Sequence, residues 1–311
     1  MTIICGVDVS GAHLDARVGR NGPWLKVART AQGIAELAAF CRAHAVELVA
    51  MKASGGYERL PFALLWQEGL PCAIANPRQV RRFAEAMGTL EKTDRIDAGL
   101  IAAFAAARAL APQPPASASQ ERLTALTGRL RQVTAARVAQ VNQRRLVTDA
   151  LVLASIEETI AFHGRQIVVL EKAIAELMSR DPLWSELGQA FRAIKGVAER
   201  TVSGVLAFLP EIGTLSNKAA AKLVGLAPLA NDSGQRQGKR PVRGGRAPLR
   251  ALLVFVAGLV AKHDPDFAQA RARLVQAGKP AKVTRVALAR KLLVRLNAKA
   301  RDVRHALAQP A

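Results

Sequence analysis

The stretch TIICGVDVSGAHLDARVGRNGPWLKVA, residues 2–28, decides the fold of the first part of the chain. Thr2–Val9 is an apolar run interrupted by Asp8, and the shorter runs Leu14–Gly19 and Leu25–Ala28 follow after turn residues. Three closely spaced runs of this kind predict three strands joined by hairpins into an antiparallel meander.

After the meander, the pattern alternates between helix and strand up to about residue 110. Ile34, Leu37, Ala38 and Cys41 recur at helical spacing and predict a helix. Two further strands are predicted at Glu47–Met51 and Cys72–Ala75. Further helices are predicted at Tyr57–Gly69, after Pro77 and after Thr93. A dinucleotide-binding fold would alternate from its start, whereas this order matches an RNase H-like (RuvC-like) domain. We therefore predict an α/β domain over residues 1–110.

The rest of the chain is predicted to be helical, so the whole fold class is α/β plus α. Residues 111–119 form a Pro/Ser/Ala linker, and Ser117 with Gln120 makes a capping-box pattern. Residues 120–182 predict a helical hairpin with a coiled-coil-like seam, in which Arg137 breaks the register set by Leu123, Leu126, Leu130 and Val133. Residues 187–311 predict a basic, mostly helical C-terminal domain.

The charge of the chain indicates a polyanionic partner. Lys and Arg number 45 against 24 Asp and Glu, which gives a formal net charge of +21. Nucleic acid fits this excess better than a membrane surface, because no amphipathic anchor is evident. Aromatic residues make up only 4% of the chain, so contacts to the nucleic-acid backbone should outweigh base stacking.

Three cysteines without metal-ligand spacing are typical of a reducing compartment. The longest apolar run, Ala251–Ala261, is too short to span a bilayer. We expect a soluble, cytoplasmic protein of bacterial type that acts at the nucleoid.

Three acids are candidates for metal-dependent chemistry. Asp8 interrupts an apolar strand, where a carboxylate needs either backbone N–H partners or a metal ion. Asp94 and Asp97 are three residues apart, so on a helix they share one face. Acids in a first helical turn also stabilise the helix by themselves, so capping is an alternative role for this pair.

A glycine-rich basic loop, residues 231–246, is the main candidate for contact with phosphates. Composition alone is also compatible with a solvated surface loop. The candidate phosphate-binding residues here are Arg236, Lys239, Arg240, Arg243, Arg246 and Arg250. Lys195 is a further candidate, because Arg192-Ala-Ile-Lys-Gly-Val197 resembles a helix-hairpin-helix turn, and Leu223-Val-Gly-Leu-Ala-Pro228 is a second such turn.

Several motifs together resemble the DEDD transposases of the insertion-sequence 110 family, whose relatives include a pilin-gene invertase and bridge-RNA-guided recombinases. The resemblance extends over nearly the whole chain. Its motifs are Gly6-Val-Asp-Val-Ser10, Ala53-Ser-Gly-Gly-Tyr-Glu58, Asn76-Pro-Arg-Gln-Val80, Lys92-Thr-Asp-Arg-Ile-Asp97 and the Ser-Gly loop at Ser233.

This resemblance implies a transposase or site-specific recombinase. In the family, the serine that aligns with Ser233 is the nucleophile that becomes joined to DNA. The acids that align with Asp8, Asp94 and Asp97 would hold Mg²⁺, an ion that prefers oxygen ligands. The partners implied are donor and target duplex DNA, a structured guide RNA, and further copies of the chain in a dimer or tetramer with a composite site.

Lys52 departs from the family pattern, because a glutamate stands at this position in the family. A cationic side chain there would repel a divalent ion, although the long lysine stem can turn the charge toward solvent. Three explanations are open: a weakened or inactive natural copy, a lysine introduced to trap an inactive state, or a carboxylate supplied instead by Glu58. The alternative functions are accordingly an impaired DNA- or RNA-binding relative, or a metal-only nuclease of the RuvC-like type.

Overall fold

A computed structural model describes residues 2–89, 91, 93–231, 233, 238 and 240–309. The chain divides into two compact units, Met1–Ala116 (unit 1) and Ser117–Ala311 (unit 2). The division falls within the Pro/Ser/Ala stretch at residues 111–119. Unit 2 contains both the helical hairpin and the C-terminal helices.

Unit 1 is built on a five-stranded mixed sheet. The strands are β1 (Ile4–Val9), β2 (His13–Val18), β3 (Trp24–Ala28), β4 (Leu48–Lys52) and β5 (Cys72–Ala75). Their order in the sheet is β3-β2-β1-β4-β5. The first three strands pair antiparallel, and β4 pairs parallel with β1 and with β5. The predicted α/β arrangement, with a meander followed by alternating strands and helices, is confirmed.

Helices cover both faces of this sheet. They are α1 (Ala31–Ala43), α2 (Arg59–Gln67), α3 (Pro77–Ala86) and α4 (Asp94–Ala107). Cys5, Val7 and Val9 of β1 are buried in one core with residues of α1 and α2. Because side chains alternate along a strand, Ile4 and Gly6 face the opposite side, where the second core contains residues of α3 and α4.

Helix α4 crosses β1 with almost no side chain between them. A Cβ atom at Gly6 would lie 2.0 Å from the carbonyl oxygen of Ala98 and 2.5 Å from the amide nitrogen of Ala102. A Cβ atom at Gly99 would lie 2.4 Å from the carbonyl oxygen of Arg20. These two glycines let α4 lie directly against the backbone of β1 and of the turn after β2.

Unit 2 consists of eight helices among the residues that the structure describes. They are α5 (Ala118–Arg144), α6 (Ala150–Ser179), α7 (Pro182–Arg192), α8 (Glu199–Phe208), α9 (Asn217–Val224), α10 (Ala247–His263), α11 (Pro265–Gln276) and α12 (Ala281–Ala308). Helices α5 and α6 pack against each other as a hairpin, with Leu123, Leu130 and Val133 buried along α5. Helix α5 continues past Arg137, because a break in the apolar seam does not interrupt the helical backbone hydrogen bonds.

Ser117 and Gln120 form only half of the predicted capping box. The hydroxyl of Ser117 accepts a hydrogen bond from the backbone N–H of Gln120 at 3.2 Å. The side-chain amide of Gln120 instead donates to the carbonyls of Leu206 and Ala207 at the end of α8. The side chain of Gln120 thus makes a tertiary contact with α8.

A bilayer-spanning helix is not found: within the described part of the chain, every helix is too short or too polar for that role.

Candidate functional site

Three elements of unit 1 bring Asp8, Lys52 and Asp97 together. Asp8 lies near the end of β1 and Lys52 is the last residue of β4. The two strands are parallel neighbours with Val7 opposite Met51, so Asp8 and Lys52 follow at the same level of the sheet. Asp97 reaches this level from the first turn of α4, which lies against β1.

Thr93 supplies the side-chain cap of α4. Its hydroxyl accepts a hydrogen bond from the backbone N–H of Ile96 at 3.3 Å. Asp94 and Asp97 lie in the first helical turn, where a negative charge interacts favourably with the helix dipole. Because Thr93 caps the helix, the carboxylate of Asp97 is available for another contact.

That contact is with Lys52, whose ammonium group lies between two carboxylates. Its Nζ atom is 2.9 Å from Oδ1 of Asp8 and 3.2 Å from Oδ2 of Asp97. The side chains of Asp8, Asp97 and Lys52 are only 12%, 14% and 20% exposed. The lysine charge is therefore turned inward onto the acids and not outward into solvent.

The electrostatics of this cluster favour a charged lysine. Burial alone would lower the pKa of Lys52, but the nearby Asp8 and Asp97 outweigh it and raise that pKa above its ordinary value. Burial raises the pKa of Asp8, and the hydrogen bond from Lys52 opposes this effect. We refer to Asp8, Lys52 and Asp97 as the carboxylate centre.

The carboxylate centre does not fit the Mg²⁺ ion that the resemblance implies. Magnesium needs nearly octahedral oxygen ligands, usually one or two carboxylates together with waters and phosphate oxygens. Across the described residues, no three His, Cys, Asp or Glu side chains converge as a metal site, and this includes Asp8, Asp94 and Asp97. Lys52 instead places a cation between two of these acids.

Glu58 is engaged in holding the glycine loop after β4. Its Oε2 atom accepts hydrogen bonds from the backbone N–H groups of Ser54 and Gly56, both at 2.9 Å. Gly55 and Gly56 have φ angles of +71° and +109°, a region that favours glycine. A carboxylate used in this way does not replace the acid missing at Lys52.

Asp15 is a buried acid beside the carboxylate centre that sequence reasoning did not single out. It lies opposite Asp8 in the β1–β2 pair, so both side chains point to the same face of the sheet. It is 3% exposed and pairs with Lys26 at 3.8 Å. Burial raises its pKa. The alternation of side chains along β2 indicates which face of the sheet Asp15 occupies. Only the register of the β1–β2 pair shows that Asp15 is a neighbour of Asp8.

In unit 2, Ser233 is exposed on the basic loop between α9 and α10. The described ends of this loop are tied to the helices. The amide of Leu229 donates to the carbonyl of Pro241 at 3.1 Å, and the amide of Arg246 donates to the carbonyl of Leu223 at 3.0 Å. We call these paired ends the loop clasp.

Two glycines allow the backbones of the loop clasp to touch. A Cβ atom at Gly225 would lie 2.4 Å from the carbonyl oxygen of Gly244, and one at Gly245 would lie 2.5 Å from the amide nitrogen of Gly225. Gly225 also has a φ of +79° at the end of α9. The second glycine turn noted in the sequence therefore anchors the serine loop.

Arg246 secures the loop clasp through a bidentate ion pair. Its two terminal nitrogens donate to the carboxylate oxygens of Glu211, each at 2.6 Å, and Nη1 also donates to the carbonyl of Phe208 at 3.0 Å. Burial alone would raise the pKa of Glu211, but the hydrogen bonds from Arg246 lower it below its ordinary value. This guanidinium is thus committed within the fold, and its predicted contact with DNA stays a prediction.

Glu211→Gln is expected to lower the free energy of unfolding at pH 7 by about 1 kcal/mol, because the partly exposed pair is screened by solvent. A lowered folded-state pKa means that this stabilisation is present above the unfolded glutamate pKa and is lost as pH falls through the folded one. Urea denaturation of both proteins across an acid titration should show the difference shrinking. Glu199→Gln is the matched control, because Glu199 pairs with Arg192 but is 68% exposed. An equal cost for both changes, or a cost independent of pH, would contradict the expectation.

The other predicted phosphate-binding residues lie in different settings. Arg243 is exposed, Arg250 donates to the carbonyl of Gly244, and Lys195 is exposed in the turn between α7 and α8. Arg240 is also exposed. Arg236 and Lys239 lie outside the described residues. All of these DNA contacts stay predictions.

The mixed sheet of unit 1, with acids on β1 and α4, is consistent with a DEDD nuclease-like domain. It is joined in the chain to a helical unit in which a serine is exposed on a basic loop. Residues 5–156 match the DEDD transposase model of the IS110 type, and residues 188–272 match the transposase IS116/IS110/IS902 family. The chain belongs to this family of DNA transposases and recombinases.

Two relatives of the chain are pilin gene-inverting proteins, from Moraxella lacunata and Moraxella bovis. Each is 26% identical to this chain over 300 residues, which cover 93% of this chain and 92% of the relative. The similarity therefore extends over both units.

Proposed function

We propose that this chain is a site-specific recombinase that cuts and rejoins duplex DNA through Ser233. The observation that carries the proposal is an exposed serine hydroxyl on a basic loop whose ends are held by the loop clasp. An accessible nucleophile on a tethered segment that is rich in Lys and Arg suits attack on a phosphodiester.

In the proposed step, Oγ of Ser233 attacks phosphorus and loses its proton. The new Oγ–P bond forms as one P–O bond to deoxyribose breaks, and the released sugar oxygen takes up a proton. Attack by another sugar hydroxyl on the serine phosphodiester reverses these bond changes and rejoins the strand. Guanidinium groups of the loop, such as that of Arg243, would neutralise the charge that develops on the phosphate oxygens.

The proposed partners are donor and target duplexes, a structured guide RNA and further copies of the chain. A net charge of +21 supports binding to nucleic-acid backbones. Exposed apolar side chains on the α5–α6 hairpin support self-association into a dimer or tetramer; they are Val138, Leu146, Leu151, Val152, Phe162, Val168 and Val169. A composite site would then combine the acids of one copy with the serine of another.

Mg²⁺ is not assigned a step here, because Lys52 lies where the carboxylates of Asp8 and Asp97 converge. The same observation favours a second candidate function. A family member with this centre would bind DNA or RNA through its basic surfaces without cutting the strand.

Denaturing purification of the tagged chain from cells that express it tests the first proposal without knowledge of the target sequence. DNA that stays attached in denaturant is covalently bound, and sequencing identifies its site. We expect DNA on the original chain and none on Ser233→Ala. Ser119→Ala is the matched control, because Ser119 is also exposed but lies on α5, and it should retain the DNA.

Other outcomes separate the alternative functions. Strand cleavage that survives Ser233→Ala would indicate a metal-only nuclease. Nucleic acid recovered only under native conditions, with no covalent DNA on any variant, would support the non-cleaving candidate. Sequencing of the natively bound RNA tests the guide, because a guide requires one discrete RNA species.

A further inference from the structure

We propose that the Lys52 ammonium is the resident cation of the carboxylate centre, so that unit 1 holds Asp8 and Asp97 together without a divalent metal ion. Replacing the ammonium group with a carboxylate, in Lys52→Glu, removes the proposed resident cation, so metal binding by this variant tests the assignment. The inference concerns cation binding by unit 1 and holds whether or not Ser233 acts on DNA.

The first support is the position of the ammonium group. One nitrogen lies within 2.9 Å of Asp8 and 3.2 Å of Asp97, which is hydrogen-bond distance for both carboxylates. A divalent ion bound to the same oxygens would lie only a few ångströms from Nζ, and the two cations would repel each other. Lysine and metal thus compete for one place.

The second support is that the backbone of Lys52 is fixed. Lys52 pairs with Ala75 of β5, and its carbonyl accepts a hydrogen bond from the hydroxyl of Ser54 at 3.0 Å. Glu58 in turn holds the amide of Ser54, as described above. Only rotation of the side chain can therefore remove the charge from the acids.

The third support is the surroundings into which the side chain would rotate. A pocket of about 220 Å³ adjoins Lys52 and Asp97, and Arg81 of α3 lines it together with apolar side chains. Arg81 pairs with Glu85 at 3.2 Å, but both of these side chains are about half exposed. An ammonium group that left the carboxylates would therefore move toward a second cation and past apolar surface.

The fourth support is the neighbourhood that a carboxylate at position 52 would join. Asp8 and Asp97 already point at this place from two other elements, and Asp15 lies beside Asp8 in the sheet. Removing one positive charge and adding one negative charge would leave three converging carboxylates without a counter-ion. Such a set of oxygen donors is what hard divalent ions bind.

The test measures Mn²⁺ binding to the full-length chain after chelator treatment, by electron paramagnetic resonance and by calorimetry at constant ionic strength. We expect no saturable uptake by the original chain. We expect Lys52→Glu to bind about one Mn²⁺ per chain, at least about tenfold more tightly than any background binding. Mn²⁺ should also raise the melting temperature of Lys52→Glu.

Lys26→Glu is the matched control, because Lys26 pairs with Asp15 in the same sheet and the change in charge is identical. It should bind no more Mn²⁺ than the original chain. Equal binding by Lys26→Glu and Lys52→Glu would overturn the proposal.

The original chain provides a test that does not depend on how the variants fold. Stoichiometric Mn²⁺ uptake by the original chain that Asp8→Asn or Asp97→Asn abolishes would overturn the proposal. Lys52→Gln supplies a neutral side chain and should lower the melting temperature without Mn²⁺, because two carboxylates then lack their counter-ion.

Discussion

Gly6→Ala is expected to destabilise unit 1 by about 3 kcal/mol or more. The added methyl group would lie 2.0 Å from the carbonyl oxygen of Ala98, and both atoms belong to elements that cannot turn away. Helix α4 would have to separate from β1, which would also move Asp97 away from Asp8. Urea denaturation, followed by hydrogen exchange in β1 and α4, measures both consequences.

Gly128→Ala is the matched control for this change. Gly128 lies within α5, and apart from its chain neighbours and the backbone of its own helix no atom lies within 4 Å of the place where its Cβ would be. Alanine in a helix interior is favoured over glycine by about 0.5–1 kcal/mol, so this variant should be as stable as the original chain or slightly more stable. A small cost for Gly6→Ala, comparable with that of the control, would show that α4 does not press on β1 as described.

Asn297→Ala is expected to lower the stability of unit 2 by about 2–4 kcal/mol. Asn297 of α12 is fully buried and binds two groups of the segment between α8 and α9 and one side chain at the start of α9. Its Oδ1 accepts from the amide of Gly213, and its Nδ2 donates to the carbonyl of Leu215 and to Oδ1 of Asn217, each at 2.9 Å. The alanine variant would remove this partner from the amide of the buried Gly213 and leave a cavity in the core.

The same change should weaken the anchoring of the serine loop. Glu211 lies in the segment that Asn297 holds, and Glu211 binds Arg246 of the loop clasp. Urea denaturation measures the loss of stability, and hydrogen exchange should show reduced protection of the Arg246 amide. Asn142→Ala, at an exposed position of α5, is the control and should be nearly neutral. A comparable cost for both variants would contradict the role described for Asn297.

Backbone elements with local signals could be predicted from the sequence. The meander follows from short apolar runs between turn residues, and the starts of helices follow from capping side chains such as those of Asn76 and Ser117. These signals act over a few residues, so no tertiary knowledge is needed to recognise them. Asp8 was also recognisable, because a charged residue is costly within an apolar strand.

The roles of individual polar side chains could not be predicted in the same way. Lys52 can extend into solvent or turn onto the acids, and the positions of Asp8 on β1 and Asp97 on α4 decide between these directions. Arg246 stands among residues that suit phosphate binding, yet its partner Glu211 is far away in sequence. The proximity of Asp15 to Asp8 can be inferred only when the register of the β1–β2 pair is known. For Lys52 and Arg246 the deciding contact is long-range, and for Asp15 it depends on the register of a hairpin.

Because of the loop clasp, the fold of the helices in unit 2 depends little on the length and composition of the segment that the clasp encloses. Because Leu229 and Pro241 are already joined, lengthening the chain between them costs mainly loop-closure entropy, about 0.6 kcal/mol for each doubling of length. Insertions and substitutions in that segment can therefore accumulate with little effect on the helices outside it. Under the proposed function, sequence changes near Ser233 would alter contacts with DNA while the helices of unit 2 keep their arrangement.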